Sequence, residues 1–221
     1  MLSSSSKKLY ILGSQIECCT INNSKIGSFL PRAVSTTTEN IENENFSYDV
    51  LTKPVSFKLF ETNPYASHLK QVYPLTIYEN DLTTEMLNIL KTYTGNHYVR
   101  TNLNLLTNYD IDWDYINKLR SIIRGLYQHD LRPVCYRGLI LSDIEIDYYK
   151  KKIGKCCYTN PFSSFTTENN LIFFGNATII LKTKPGNRLN IANVWKWSLY
   201  PDEMEAILSI SSKVKILTVK K

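Results

Sequence analysis

Apolar residues along this chain change their spacing part-way. From Asn63 to Asp130 they recur at helical intervals, and from Val134 onward they gather into short runs separated by turn residues. Thr84-Glu85 opens a stretch in which Met86, Leu87, Ile89 and Leu90 share a helix face, and Gly95 offers a natural stop. Asp112 precedes Trp113, Ile116, Leu119, Ile122 and Ile123, a pattern that predicts a second helix with an aspartate N-cap. The later runs, Val134–Leu139, Phe162–Thr167, Leu171–Leu181, Leu189–Ile191, Glu203–Ile210 and Val214–Val219, are strand-sized. Between the first two, Ser142–Ile153 reads as a short helix capped by Ser142. Helices first and antiparallel strands after is an α+β order rather than an alternating βαβ one.

Residues 1–45 have another texture. The Ser3–Ser6 run, Thr36-Thr37-Thr38 and the polar stretch from Glu39 to Asn45 supply too little apolar surface to build a core. They read as a polar extension that Leu9-Tyr10-Ile11-Leu12 could dock, leaving 46–221 as one folded domain. The whole chain, 221 residues with 43% hydrophobic and 21% charged, has the composition of a packed globular protein. No apolar run is long enough to span a membrane, and the start of the chain lacks a secretory apolar segment, so a cytoplasmic protein with no membrane partner is expected. The net charge of +6 is scattered apart from Lys150-Lys151-Lys152 and Lys220-Lys221, which favours a solvated surface over a nucleic-acid partner. The five cysteines occur as Cys18-Cys19, Cys135 and Cys156-Cys157, without the C-x2-4-C spacing of a zinc site. His68, His97 and His129 lie far apart. Reduced thiols and no metal are expected.

The common phosphate-loop, dinucleotide, nucleophile-elbow and zinc-protease motifs are absent. Three features remain. Tyr136-Arg137-Gly138 puts a planar cationic fork beside a residue that lets backbone come close. Phe162-Ser163-Ser164-Phe165-Thr166-Thr167 mixes small hydroxyls with rings along a strand, a set suited to a ribose and a flat heterocycle. Pro201-Asp202-Glu203-Met204-Glu205 carries two carboxylates two residues apart, which in a strand point the same way, so that one of the two pKa values should rise unless a cation or hydroxyl network compensates. Taken singly, each is better read as ordinary structure: a solvated edge-strand arginine, a strand of common composition and a solvated edge strand.

In this order the three resemble the arginine-specific NAD-dependent mono-ADP-ribosyltransferases of the arginine–serine–glutamate class. That family shows Y-R-G, then an F-x-S-T-S-like strand, then P-x-E-x-E-V-L; here the last reads Pro201-Asp202-Glu203-Met204-Glu205-Ala206-Ile207-Leu208. Asn190-Ile191-Ala192, Trp197–Pro201 and the segment Tyr93–Tyr98 also look like the family's surroundings, so the resemblance covers about residues 60–221. The serine strand departs from S-T-S. Ser164 matches as the lead serine, and a second register would instead align Thr167 and Asn169.

The resemblance implies an α+β domain with an N-terminal helical part and two packed, mostly antiparallel small sheets around a cleft for NAD, which is the substrate. It implies that Arg137 holds the phosphates, that Gly138 meets the nicotinamide amide through its backbone, and that Phe162, Phe165 or Phe174 stacks on the nicotinamide. Tyr136, Thr166 and Thr167 would complete the NAD contacts. Ser164 would orient Glu205, which would bind the nicotinamide ribose and stabilise its developing positive charge, while Glu203 would activate a guanidinium on an arginine-bearing protein. Two alternatives stay open: NAD hydrolysis with water as acceptor, and a non-catalytic binding module of the same fold.

Overall fold

The computed structural model of the protein describes residues 7–13, 58–126, 134–173, 175–182 and 190–220, without the side chains of 7–13 and 220. Its helical part begins with α1, Thr84–Thr92, whose N-cap Thr83 accepts from the Met86 amide at 3.2 Å. Gly95 does not end the helical run. The chain passes through a wide turn at Tyr93–His97, broken at Gly95 by a ψ of −123°, and resumes as α2, Tyr98–Thr107. Helix α3, Trp113–Gly125, has the expected cap: the Asp112 side chain accepts from the Tyr115 amide at 3.0 Å. Its Ile116, Leu119, Ile122 and Ile123 are all buried, as their spacing requires. The short α4, Asp143–Lys150, carries a reciprocal cap in which Ser142 and Glu145 satisfy each other's amides.

The described residues form nine strands: β1 Lys7–Gly13, β2 Lys58–Phe60, β3 Val134–Leu139, β4 Cys156–Asn160, β5 Ser163–Thr166, β6 Ala177–Lys182, β7 Ile191–Asn193, β8 Glu205–Leu208 and β9 Lys213–Lys220. Their order is β2-β4-β9-β1-β6-β3-β5-β8-β7. Between β3 and β5 the ladder consists of the single pair Tyr136↔Thr166, so six strands and three strands form two small sheets joined at one point. Only β1 with β6 is parallel among these strand pairs. The architecture is α+β.

Alternation along β8 shows how the layers meet. Ala206 and Leu208 join Phe165, Ile191, Cys135, Leu139, Ile179, Leu181 and Val214 in one buried cluster. Ile207, between them, joins Ala192, Phe162 and the helical residues Leu90, Tyr93, Leu105, Leu119 and Ile122 in another. The three-stranded sheet therefore has the larger sheet on one face and the helices on the other.

Several expected strands are displaced. The run Leu171–Leu181 becomes strand only at Ala177, because its first half crosses β3 closely: a Cβ on Gly175 would lie 2.2 Å from the Leu139 carbonyl oxygen. The expected strand Glu203–Ile210 shortens to Glu205–Leu208, after a tight 3-10 turn at Pro201–Glu203 and a left-handed Met204 at φ 49°. Strands β2 and β4 were not foreseen, and of the run Leu189–Ile191 the residue Leu189 lies outside the described residues. Within the expected extension, Lys7–Gly13 pairs between β6 and β9, while 14–45 lies outside the described residues. Among the described residues no helix is long and apolar enough to cross a membrane.

Candidate active site

The site assembles where the two sheets meet. Pairing of β5 with β8 sets Thr166 opposite Glu205 and Ser164 opposite Ile207. Residues opposite one another share a face, so Ser164, Thr166 and Glu205 all lie on the face that carries Ile207 against the helices. Across that pairing the Ser164 hydroxyl donates to Oε1 of Glu205 at 2.5 Å. Thr167, the alternative lead hydroxyl, reaches the Met204 carbonyl instead, at 3.5 Å. Ser163 is turned to the Pro161 carbonyl at 3.3 Å, Thr166 accepts from the Glu168 amide at 3.1 Å, and Asn169 is exposed in a turn. Of the hydroxyls on this strand, Ser164 is the one bonded to Glu205.

Glu205 is 8% exposed. Burial pushes its carboxyl up to about 7, against the pull of the Ser164 hydroxyl and with a further push from the Glu203 charge. The Arg137 charge and the Ser198 hydroxyl act in the lowering direction, with smaller effect. A carboxylate that deep would ordinarily be neutral; two hydroxyls and a guanidinium keep it poised near neutrality.

Arg137 lies on β3 between the buried Cys135 and Leu139 and donates from Nη1 to the Ser164 carbonyl at 2.6 Å. That bond fixes the guanidinium beside the strand that orients Glu205. Burial lowers the arginine pKa, while Tyr93, Tyr149, Glu205 and Tyr98 favour its charged form. Tyr136 is partly buried and packs on the first core cluster. A Cβ on Gly138 would sit 1.8 Å from the Phe173 carbonyl oxygen, so the glycine is required by the close approach of Ile172 and Phe173 to β3.

Two expectations need correction. Glu203 and Glu205 do not share a strand: Glu203 closes the 3-10 turn, and the left-handed Met204 redirects the chain before β8. They still feel one another, because the turn keeps the Glu203 charge close enough to raise the Glu205 pKa. Phe162 and Phe165, expected to stack on a ring, are core residues at 1% and 3% exposure, with Phe162 packed edge-on against Tyr93 at 5.5 Å. Phe174 lies outside the described residues. Among the described residues, Phe173 is an exposed aromatic beside Gly138.

Sequence reasoning also missed Tyr98 and Ser198. Tyr98 is 41% exposed; the part of its ring that packs away from water and the Glu203 charge both raise its hydroxyl pKa, and it also feels Arg137 and Glu205. Its segment Tyr93–Tyr98 resembles the family's helical surroundings, and nothing in its spacing marks Tyr98 itself as a site residue. Ser198 reaches Glu205 only after the Val194 amide closes the turn on the Glu205 carbonyl at 2.9 Å.

No protein-family model and no curated protein matches the chain. Solved structures similar to it include the ADP-ribosyltransferase HopU1 of Pseudomonas syringae, 18% identical over 61% of this chain and 70% of that one, with a TM-score of 0.46. Exoenzyme S from Pseudomonas aeruginosa, in complex with human 14-3-3 protein beta and bound to carba-NAD, is 16% identical over 62% and 66%, with a TM-score of 0.48. Plx2a, an ADP-ribosyltransferase toxin from Paenibacillus larvae, is 15% identical over 63% and 89%, with a TM-score of 0.45. The likeness is one of backbone shape.

Proposed function

We propose that the protein is an NAD-dependent mono-ADP-ribosyltransferase that moves ADP-ribose from NAD to the arginine side chains of a protein acceptor. The observation that carries this reading is the 2.5 Å bond from Ser164 to the buried Glu205, with Arg137 bonded to the same strand. In the reaction the bond between the ribose anomeric carbon and the nicotinamide nitrogen breaks, and its electron pair leaves with nicotinamide. Ionised Glu205 accepts the ribose 2′-hydroxyl and stabilises the positive charge that develops at the anomeric carbon. A planar guanidinium at Arg137 suits bidentate contact with the diphosphate. Glu203, partly exposed at the end of its turn, takes a proton from the acceptor guanidinium as its nitrogen bonds to the anomeric carbon. The carboxylate form of Glu205 is the active one, so kcat/KM for NAD should rise with pH and reach half its plateau near 7.

Incubation with labelled NAD, with and without agmatine, tests the reading. An agmatine adduct supports it. Free ADP-ribose at a rate indifferent to agmatine means NAD hydrolysis, and no nicotinamide release means a binding module without catalysis.

A further inference from the structure

The turn that carries Glu203 is fastened at two places. At its base the Val194 amide donates to the Glu205 carbonyl at 2.9 Å. At its crest the Leu199 amide donates at 3.2 Å to the hydroxyl of Thr94, which belongs to the break between α1 and α2. Thr94 is 6% exposed, and its own hydroxyl proton goes to the Lys91 carbonyl at 3.3 Å. The hydroxyl is thereby committed in direction: it donates into the helix and accepts from the turn. Beside it, a Cβ on Gly95 would come within 2.9 Å of Cδ1 of Leu199, so the glycine leaves room for the crest to seat. From Leu199 the fastening passes along the turn. The Tyr200 amide donates to the Ser198 hydroxyl at 3.0 Å, and the Glu203 amide donates to the Tyr200 carbonyl at 3.2 Å.

We infer that Thr94 is a positioning residue for the acceptor side of the site: by holding the crest of the turn it fixes where Glu203 stands, while the Glu205 side chain is fixed chiefly by β8 and the Ser164 hydroxyl. The inference rests on the acceptor role proposed for Glu203. It explains why the helical run is interrupted at this point rather than continuing unbroken. Cleavage of NAD draws on Glu205, whose stronger hydroxyl partner is Ser164 on β5 rather than Ser198 of the turn, whereas transfer to a guanidinium also needs Glu203 in register.

Thr94→Val keeps the shape and removes the acceptor for Leu199, and Thr94→Ser restores it. In the full chain, Thr94→Val should lower transfer to agmatine at least tenfold while nicotinamide release from NAD stays within about threefold of wild type, and Thr94→Ser should recover transfer. Hydrogen exchange at the Leu199 amide should quicken in the valine variant and return to the wild-type rate in the serine variant. Equal loss of both reactions, or no change in their ratio, overturns the inference. If the wild type itself makes no agmatine adduct, the arginine reading is what fails. Exchange at Leu199 then decides the positioning claim alone, and an unaltered rate overturns it.

Discussion

A carboxylate shielded from water, such as that of Glu205, makes the folded protein hold a proton more tightly than the unfolded chain does. Its pKa stands at about 7 against an ordinary 4.5. The group's favourable share of stability is therefore complete below about pH 4.5, is lost as pH rises through 7, and does not change above that. The rise corresponds to about 3 kcal/mol. Glu205→Gln removes the cost, so its melting temperature should exceed that of the wild type at pH 8 by much more than at pH 4.5. The same variant should lose nicotinamide release by about 10²–10³-fold or more, since one electrostatic partner of the transition state is gone. Equal melting differences at the two pH values would show that Glu205 is not the shifted group. Ser164 belongs to the same balance, because its hydroxyl stabilises the ionised form. Ser164→Ala should move the half-point of the kcat/KM profile to higher pH, and Thr167→Ala should leave it in place. A larger displacement in the threonine variant would favour the other alignment of this strand.

Elements were legible in the sequence where a local rule acts alone. Helix α3 begins after Asp112 because an aspartate there can take an orphan amide, and its apolar stripe follows from period alone. Strand β3 runs from Val134 to Leu139 as its composition predicts. The failures occur where a distant contact overrides the local one. Gly95 reads as a helix end, yet neighbouring Tyr93 is pinned against Phe162 and the chain returns to helix. Glu203 reads as strand, yet Pro201 opens a 3-10 turn and Met204 takes a left-handed conformation that no residue type there announces. Strands β2 and β4 are too short, and β4 too polar, to carry a period-two signal. The site followed the same division. Arg137, Ser164 and Glu205 stand out by motif order, while Tyr98, Ser198 and Thr94 act through contacts made only when the turn closes on the helices. At this scale Asp112→Ala should cost about 1 kcal/mol in denaturant unfolding, with Asp112→Ser recovering most of it. An unchanged midpoint would mean that packing alone holds the start of α3.

At the scale of the molecule, the strands of the described residues form two sheets that meet at Tyr136↔Thr166, with Arg137 and Glu205 brought together beside that junction. The larger sheet is completed by β1, which lies between β6 and β9 rather than at an edge. A chain lacking residues 1–13 would leave β6 paired only with β3 and β9 paired only with β4, so its melting should come earlier and over a wider range. An identical melt would show the pairing to be dispensable. The division between the halves of the site leads to the most direct test. Glu205 acts on the ribose and is needed for every acceptor, whereas Glu203 acts on the guanidinium, whose pKa above about 12 makes it a poor nucleophile unaided. Glu203→Gln, assayed with labelled NAD and agmatine, should lose the agmatine adduct while nicotinamide release persists with water as acceptor. If adduct formation survives, or if both reactions fall together, Glu203 does not activate the acceptor and the arginine-directed transfer proposed here is contradicted.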